Sequence, residues 1–82
     1  METVIWGKLQ HDGIEVVRRE GQLFVRYDAG AHMAQWREDE ITEDEFHGLT
    51  VGTTSCSRTM LEIQKRLIAS GVDPYQSNWN PE

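Results

Sequence analysis

The feature that most constrains this chain is the run IEVVRR-EG-QLFVRYD, residues 14–28. Two stretches rich in β-branched and aromatic residues flank Glu20-Gly21, and a glycine in a two-residue loop supplies the positive φ that a tight hairpin turn requires. Placing the turn there fixes the register. Arg19 faces Gln22, Arg18 faces Leu23, Val17 faces Phe24, Val16 faces Val25, Glu15 faces Arg26 and Ile14 faces Tyr27. One face then collects Ile14, Val16, Leu23, Val25 and Tyr27, while Glu15 and Arg26 form an opposite-charge pair on the other. A one-residue slip would invert every side chain, so the agreement between turn and pattern commits this part of the chain to a β-hairpin.

The same reading extends in both directions. VIWGKL precedes His11-Asp12-Gly13, and Asp-Gly favours a type I′ turn. That turn would set Leu9 against Val16 on the core side and leave Trp6 with Val17 and Phe24 on the opposite face. Asp28-Ala29-Gly30 breaks the chain again before AHMAQWRE, which predicts a four-stranded antiparallel meander over residues 1–38.

The second half changes period. In ITEDEF, Thr42 can cap a helix, Glu45 completes a capping box, and Ile41 and Phe46 stand where a hydrophobic staple needs them. A short helix over 43–50 follows. After LTVGTTS a longer helix is expected to begin near Ser55 or Ser57. Cys56, Met60, Ile63 and Leu67 mark its core-facing stripe, with Leu61 and Ile68 beside them. Ser70-Gly71 should stop it, with Gly71 as a left-handed cap, Val72 packing back and Pro74 preventing resumption. The expected fold class is α+β in one small domain, residues 1–82: a meander (1–38), two helices packed on one face (42–71) and an irregular tail (72–82).

Charge narrows the partners. Lys and Arg number 8 against 14 Asp and Glu, giving a formal net charge of −6. Nucleic acid and anionic membrane both call for a basic patch, so neither is expected as a partner. A basic protein fits, through electrostatic steering. Six of the acids crowd into WREDEITEDEF: Glu38, Asp39, Glu40, Glu43, Asp44 and Glu45. Glu43, Asp44 and Glu45 fall in the first turn of the short helix, where negative side chains offset the helix dipole by about 0.3–1 kcal/mol each. Glu38, Asp39 and Glu40 are assigned to the strand-to-helix connection, where no dipole accounts for them, and they are the candidate contact for a basic ligand. The bland alternative is a solvated surface that keeps the chain soluble.

Signals for chemistry are weak. His11, His32 and His47 are scattered, and no Cys-x-x-Cys or His-x-x-x-His occurs. DEITEDE lacks the mid-loop glycine and alternating acids of a calcium loop. No phosphate loop is present around Gly48, Gly52 and Thr53. Cys56 near a helix start has the setting of an activated thiol, but its place on the apolar stripe favours a core cysteine. The single cysteine excludes an intramolecular disulfide, which suits a reducing compartment. METVIWGKLQ reads as neither a secretory signal nor a membrane anchor, so the expected location is the cytoplasm. No catalytic residue, metal or cofactor is assigned, and an enzyme is not expected.

The outer sheet face carries the remaining signal. An antiparallel sheet facing water on one side should be polar there, and Trp6, Val17 and Phe24 together break that rule. Either Tyr75 and Trp79 of the tail cover this strip, or it is an interface for a homodimer or adaptor. Size, charge, absent catalytic motifs and the acid cluster lead to one functional expectation. It is a small acidic protein-binding protein of the bacterial immunity or inhibitor kind, occluding a basic toxin or nuclease with Glu38, Asp39, Glu40, Glu43 and Asp44. Mimicry of nucleic acid toward a DNA-binding protein is a further reading.

Overall fold

The computed structural model describes residues 1–30 and 32–81. Four strands, β1 (Glu2–Gly7), β2 (Ile14–Arg19), β3 (Gln22–Asp28) and β4 (Trp36–Ile41), form one antiparallel sheet in the order β1-β2-β3-β4. A single helical turn, α1 (Leu9–Asp12), joins β1 to β2. Two helices follow the sheet, α2 (Glu43–Thr50) and α3 (Thr53–Ala69). The α+β meander followed by two helices stands.

The central hairpin has the register its sequence dictates, all six pairs from Ile14↔Tyr27 to Arg19↔Gln22. Glu20 (φ 52) and Gly21 (φ 80) both take left-handed backbone, as a type I′ turn demands. The core lies between one sheet face and the helices, where Val16, Leu23, Val25, Tyr27, Ile41, Leu49, Ile63 and Leu67 pack together. Each aliphatic side chain fully buried there contributes about 1.5–3 kcal/mol relative to exposure.

The helix signals also stand. Thr42 Oγ1 accepts from the Glu45 N–H at 3.1 Å, and Glu45 Oε1 accepts from the Thr42 N–H at 2.9 Å, closing the capping box. Gly71 takes φ 82, its N–H donates to Ile68 and the Val72 N–H donates to Leu67, a Schellman ending for α3. The Val72 side chain does not pack back but stays exposed. α3 starts at Thr53, earlier than the serines suggested. Along it Ile63 and Leu67 are buried and Cys56 and Met60 pack on the core, whereas Leu61 and Ile68 point to solvent. The core-facing stripe is therefore Cys56, Met60, Ile63 and Leu67 without the flanking Leu61 and Ile68.

Two corrections matter for function. The first is that Asp12-Gly13 is not a two-residue hairpin loop. Asp12 Oδ2 accepts from the Lys8 N–H at 2.9 Å and the left-handed Gly13 donates to Leu9 at 3.0 Å, so these residues wind into α1. The longer connection slides β1 by three residues against β2, and a bulge sits between Val4 and Trp6. Trp6 therefore opposes Val16 on the core face instead of sharing the face of Val17, and Val4 is the β1 residue opposite Val17. On the turn side of the bulge the shift is odd and reverses the face of each side chain, whereas beyond the bulge it is even and Val4 keeps its outward side.

The second is that β4 runs on to Ile41, past the expected end of the meander at residue 38. Glu38, Asp39 and Glu40 are consequently strand residues, and the pleat sends neighbours to opposite faces. Arg37, Asp39 and Ile41 face the core, while Trp36, Glu38 and Glu40 face outward, as their cross-strand partners Tyr27, Val25, Leu23 and Arg26 require. The expected strand start in AHMAQ lies partly on Ala31, outside the described residues; the strand itself begins at Trp36.

Candidate functional site

On the outer sheet face a lattice of paired charges surrounds the apolar row Val4, Val17 and Phe24. Arg26 on β3 contacts Glu2 at 2.8 Å, Glu15 at 3.1 Å and Glu38 at 2.8 Å. Arg19 on β2 contacts Glu38 at 2.6 Å and Glu2 at 3.4 Å. This lattice ties all four strands together and lies across Val17, which is fully buried although it belongs to the outer face. Burial works against the Arg26 charge, but the hydrogen bonds it donates to Glu2, Glu38 and Glu15 outweigh that and hold the guanidinium above its ordinary pKa. The Arg19 guanidinium stacks 4.2 Å from the Phe24 ring centroid, and that of Arg26 lies 4.5 Å from Trp79. Trp79 is thus the tail residue that covers this face, while Tyr75 remains more than half exposed. Trp6 does not share this face with Val17 and Phe24, which remain cross-strand neighbours on it.

The acidic run divides by strand parity, not by position along the chain. Asp39 is buried, with Oδ1 2.7 Å from Arg37 Nη2 and Oδ2 2.7 Å from the Tyr27 hydroxyl. Burial and the Asp39 carboxylate push the Tyr27 hydroxyl well above the usual phenol pKa, so it stays protonated and donates. The hydrogen bonding that Arg37 donates to Asp39 raises the Arg37 pKa against the opposing effect of burial. Glu38 is consumed by Arg19 and Arg26. Glu45 closes the capping box and meets Arg66 at 2.9 Å. The outward acids that remain are Glu40, Glu43 and Asp44. The Glu40 carboxylate accepts from the neutral Gln22 side chain at 3.1 Å and has no cationic partner among the described residues, while the Glu40 carbonyl accepts from Arg66 Nη2 at 3.2 Å. Glu43 meets one exposed arginine, Arg18, at 3.2 Å, and Asp44 has no side-chain partner among the described residues.

These three acids gain a fourth that the sequence reading did not single out. The Gln22–Glu40 and Arg18–Glu43 contacts bring the β2–β3 turn against the β4–α2 junction. Glu20, at the tip of that turn, is exposed and has no side-chain partner among the described residues. One end of the sheet therefore presents Glu20, Glu40, Glu43 and Asp44 against two nearby cations, Arg18 and Arg66, the second of which is shared with Glu45. The available signal was the register itself, which puts Glu20 at the sheet end where β4 finishes.

The tail is strapped to the free edge of β4. Arg37 Nη1 donates to the carbonyls of Asp73 and Gln76. The Asn78 amide copies a strand's peptide group: its Oδ1 accepts from the Glu38 N–H at 2.8 Å and its Nδ2 donates to the Glu38 carbonyl at 3.1 Å. The N–H groups of Asn78 and Trp79 both donate to Trp36 O, and Ser77 N–H donates to Gln35 Oε1 at 3.1 Å. Unpaired edge groups that would invite aggregation are satisfied in this way.

A groove of about 320 Å³ lies where Trp6 meets the α2–α3 junction, lined also by Leu49, Thr53 and Cys56. Burial pushes the Cys56 thiol up from its ordinary pKa, the opposite of what an activated nucleophile needs. Among the described residues no group of three or more His, Cys, Asp and Glu side chains is placed to hold a metal ion. No helix of the described residues is long and apolar enough to cross a membrane. The chain matches no protein-family model, no curated protein and no solved structure.

Proposed function

We propose that this is a small acidic binding protein whose partner presents a basic surface, docking at the sheet end formed by the β2–β3 turn and the β4–α2 junction. One observation supports the reading above others. Glu20, Glu40, Glu43 and Asp44 come from two segments some twenty residues apart, yet they converge where internal cations leave most of their charge uncompensated. Elsewhere the carboxylates of the acidic run are spent on the fold. The exposed Arg18–Glu43 pair is the kind that contributes about 0–1 kcal/mol, so it yields readily to a stronger cation. An immunity or inhibitor role toward a basic toxin or nuclease is the biological setting in which a protein of this size and charge would work. The Glu38 and Asp39 carboxylates drop out of the contact surface, because the lattice and the core already hold them. Homodimerisation through Trp6 has no comparable support, since Trp6 faces the core.

The test replaces all four acids with their amides, Glu20→Gln, Glu40→Gln, Glu43→Gln and Asp44→Asn. Affinity capture from the native host at low salt would be followed by binding kinetics of whatever is retained. The association rate should fall and lose its salt dependence in the variant, with the dissociation rate changed less. A captured partner that binds both proteins alike, or one that carries no basic surface, would refute the reading.

A further inference from the structure

We infer that the free edge of β4 is a docking groove for the C-terminal segment of a second copy of this chain, so that residues 73–79 can be exchanged between two molecules. The groove is built from groups that belong to the sheet. They are the Trp36 carbonyl, the Glu38 N–H and carbonyl, the Gln35 side-chain oxygen and the Arg37 and Arg26 guanidinium groups. Together they read an extended segment in the manner of an added strand, through its main chain at Asp73, Gln76, Ser77, Asn78 and Trp79. Two side chains give selectivity: the Asn78 amide that pairs with Glu38 and the Trp79 ring that lies on Arg26.

None of these contacts depends on which molecule supplies the segment. It is joined to α3 only through Ser70, Gly71 and Val72, all exposed, so a change of direction there breaks at most the backbone bonds that end α3 and unpacks no core side chain. Pro74 is buried and the Trp79 ring is partly buried on Arg26, and the apolar surface that release exposes is covered again when the segment docks on a second copy. Exchange of an identical element between protomers is then limited by concentration alone. The occupant follows from the same facts: the sequence shown to fit the groove is this chain's own, and every copy carries it.

The tethered segment competes at an effective concentration on the order of millimolar, so dilute protein is monomeric and exchange emerges near that range. The experiment uses the full chain carrying Asn78→Ala, isotopically labelled, with an unlabelled synthetic peptide of residues 73–81 as the probe. The peptide should shift the Trp36 and Glu38 amide signals saturably. The same peptide with alanine in place of asparagine should bind about tenfold more weakly, having lost two hydrogen bonds. Unmoved Glu38 signals at several times the effective concentration, on the order of ten millimolar peptide, would overturn the proposal. Sedimentation of the unsubstituted chain decides the matter should the variant not fold. Its average mass must rise toward that of a dimer at concentrations on the order of millimolar, and a strictly monomeric chain there would overturn the exchange.

Discussion

Replacing Asp39 by alanine separates the role this residue has in the fold from the surface role its sequence context suggests. As a member of an exposed acidic run, Asp39 should be removable at no cost, or with a small gain as like charges are thinned. The structure dictates the reverse. Arg37 and Asp39 are 3% and 7% exposed at their side chains and meet at 2.7 Å, with the Tyr27 hydroxyl on the second carboxylate oxygen. Removing one member of a buried ion pair leaves the other charge without its counterion, at a cost of about 3–5 kcal/mol. Arg37 keeps the carbonyls of Asp73 and Gln76, which places the expected loss near the lower end, about 3 kcal/mol. A domain of this size has a total stability of roughly 4–12 kcal/mol, so the loss is large. At about 4–8 °C per kcal/mol it lowers Tm by on the order of 20 °C. Glu40→Gln is the control, since an exposed carboxylate that accepts only from Gln22 should change stability by no more than about 0.5 kcal/mol. Thermal and urea unfolding followed by circular dichroism measure both variants. An Asp39→Ala protein within about 0.5 kcal/mol of the parent would refute the buried pair and restore Asp39 to the surface.

Three further outcomes test the same structure. Gly7→Ala should destabilise the β1–α1 junction by more than about 1 kcal/mol, because a Cβ at φ +78 would run into the Ile14 carbonyl oxygen; equal urea midpoints for the two proteins would contradict that geometry. Cys56 should react with a thiol reagent more slowly than a free cysteine at neutral pH, its rate rising only in alkali, as the raised thiol pKa requires; fast labelling at pH 7 would reinstate an activated thiol. Asp28 accepts from the Gly30 and Gln35 N–H groups at 2.8 and 2.9 Å, and the Gln35 bond first and the Gly30 bond second lower its pKa from the ordinary 3.8. A depressed folded-state pKa means the stabilisation is complete above the unfolded value and is lost as pH falls through the folded one. The stability gap between the parent and Asp28→Asn should therefore close below about pH 4, and a gap that persists in acid would disprove the linkage.

What was legible in the sequence was whatever a local rule governs. The Glu20-Gly21 turn, the six-pair register, the Thr42–Glu45 capping box and the Gly71 ending each depend on residues a few positions apart, and each is found as read. What was not legible depends on choices between two local rules. Asp12-Gly13 satisfies a hairpin turn and a helical C-cap equally well, since both ask for a left-handed glycine; the Lys8–Asp12 contact selects the cap. That one selection moved Trp6 through the sheet. Strand β4 hid for a different reason, because charged Arg37 and Asp39 stand at core-facing positions where period-two patterning looks for apolar residues. The tail carries no period at all, and its order comes from Arg37 and from the edge groups of β4, which no reading of residues 72–82 alone contains.

The acidic run shows how little a count of charges says about a surface. Three consecutive carboxylates in a loop repel and invite a cation; the same three in a strand are sent to alternate faces, and each is then judged by what it meets there. Glu38 enters a lattice that covers Val17, Asp39 neutralises a buried arginine, and Glu40 alone reaches solvent with a neutral partner. A net charge of −6 thus coexists with an outer face whose arginines and acids largely cancel. Part of the excess sits at the sheet end, on the Glu20 turn and the first turn of α2. At that helix end Glu43 and Asp44 are held in place by the dipole whether or not a partner is bound. Such a patch is preorganised at no cost to the fold, and this is why the β4–α2 junction, rather than the run as a whole, is where a basic partner would be met.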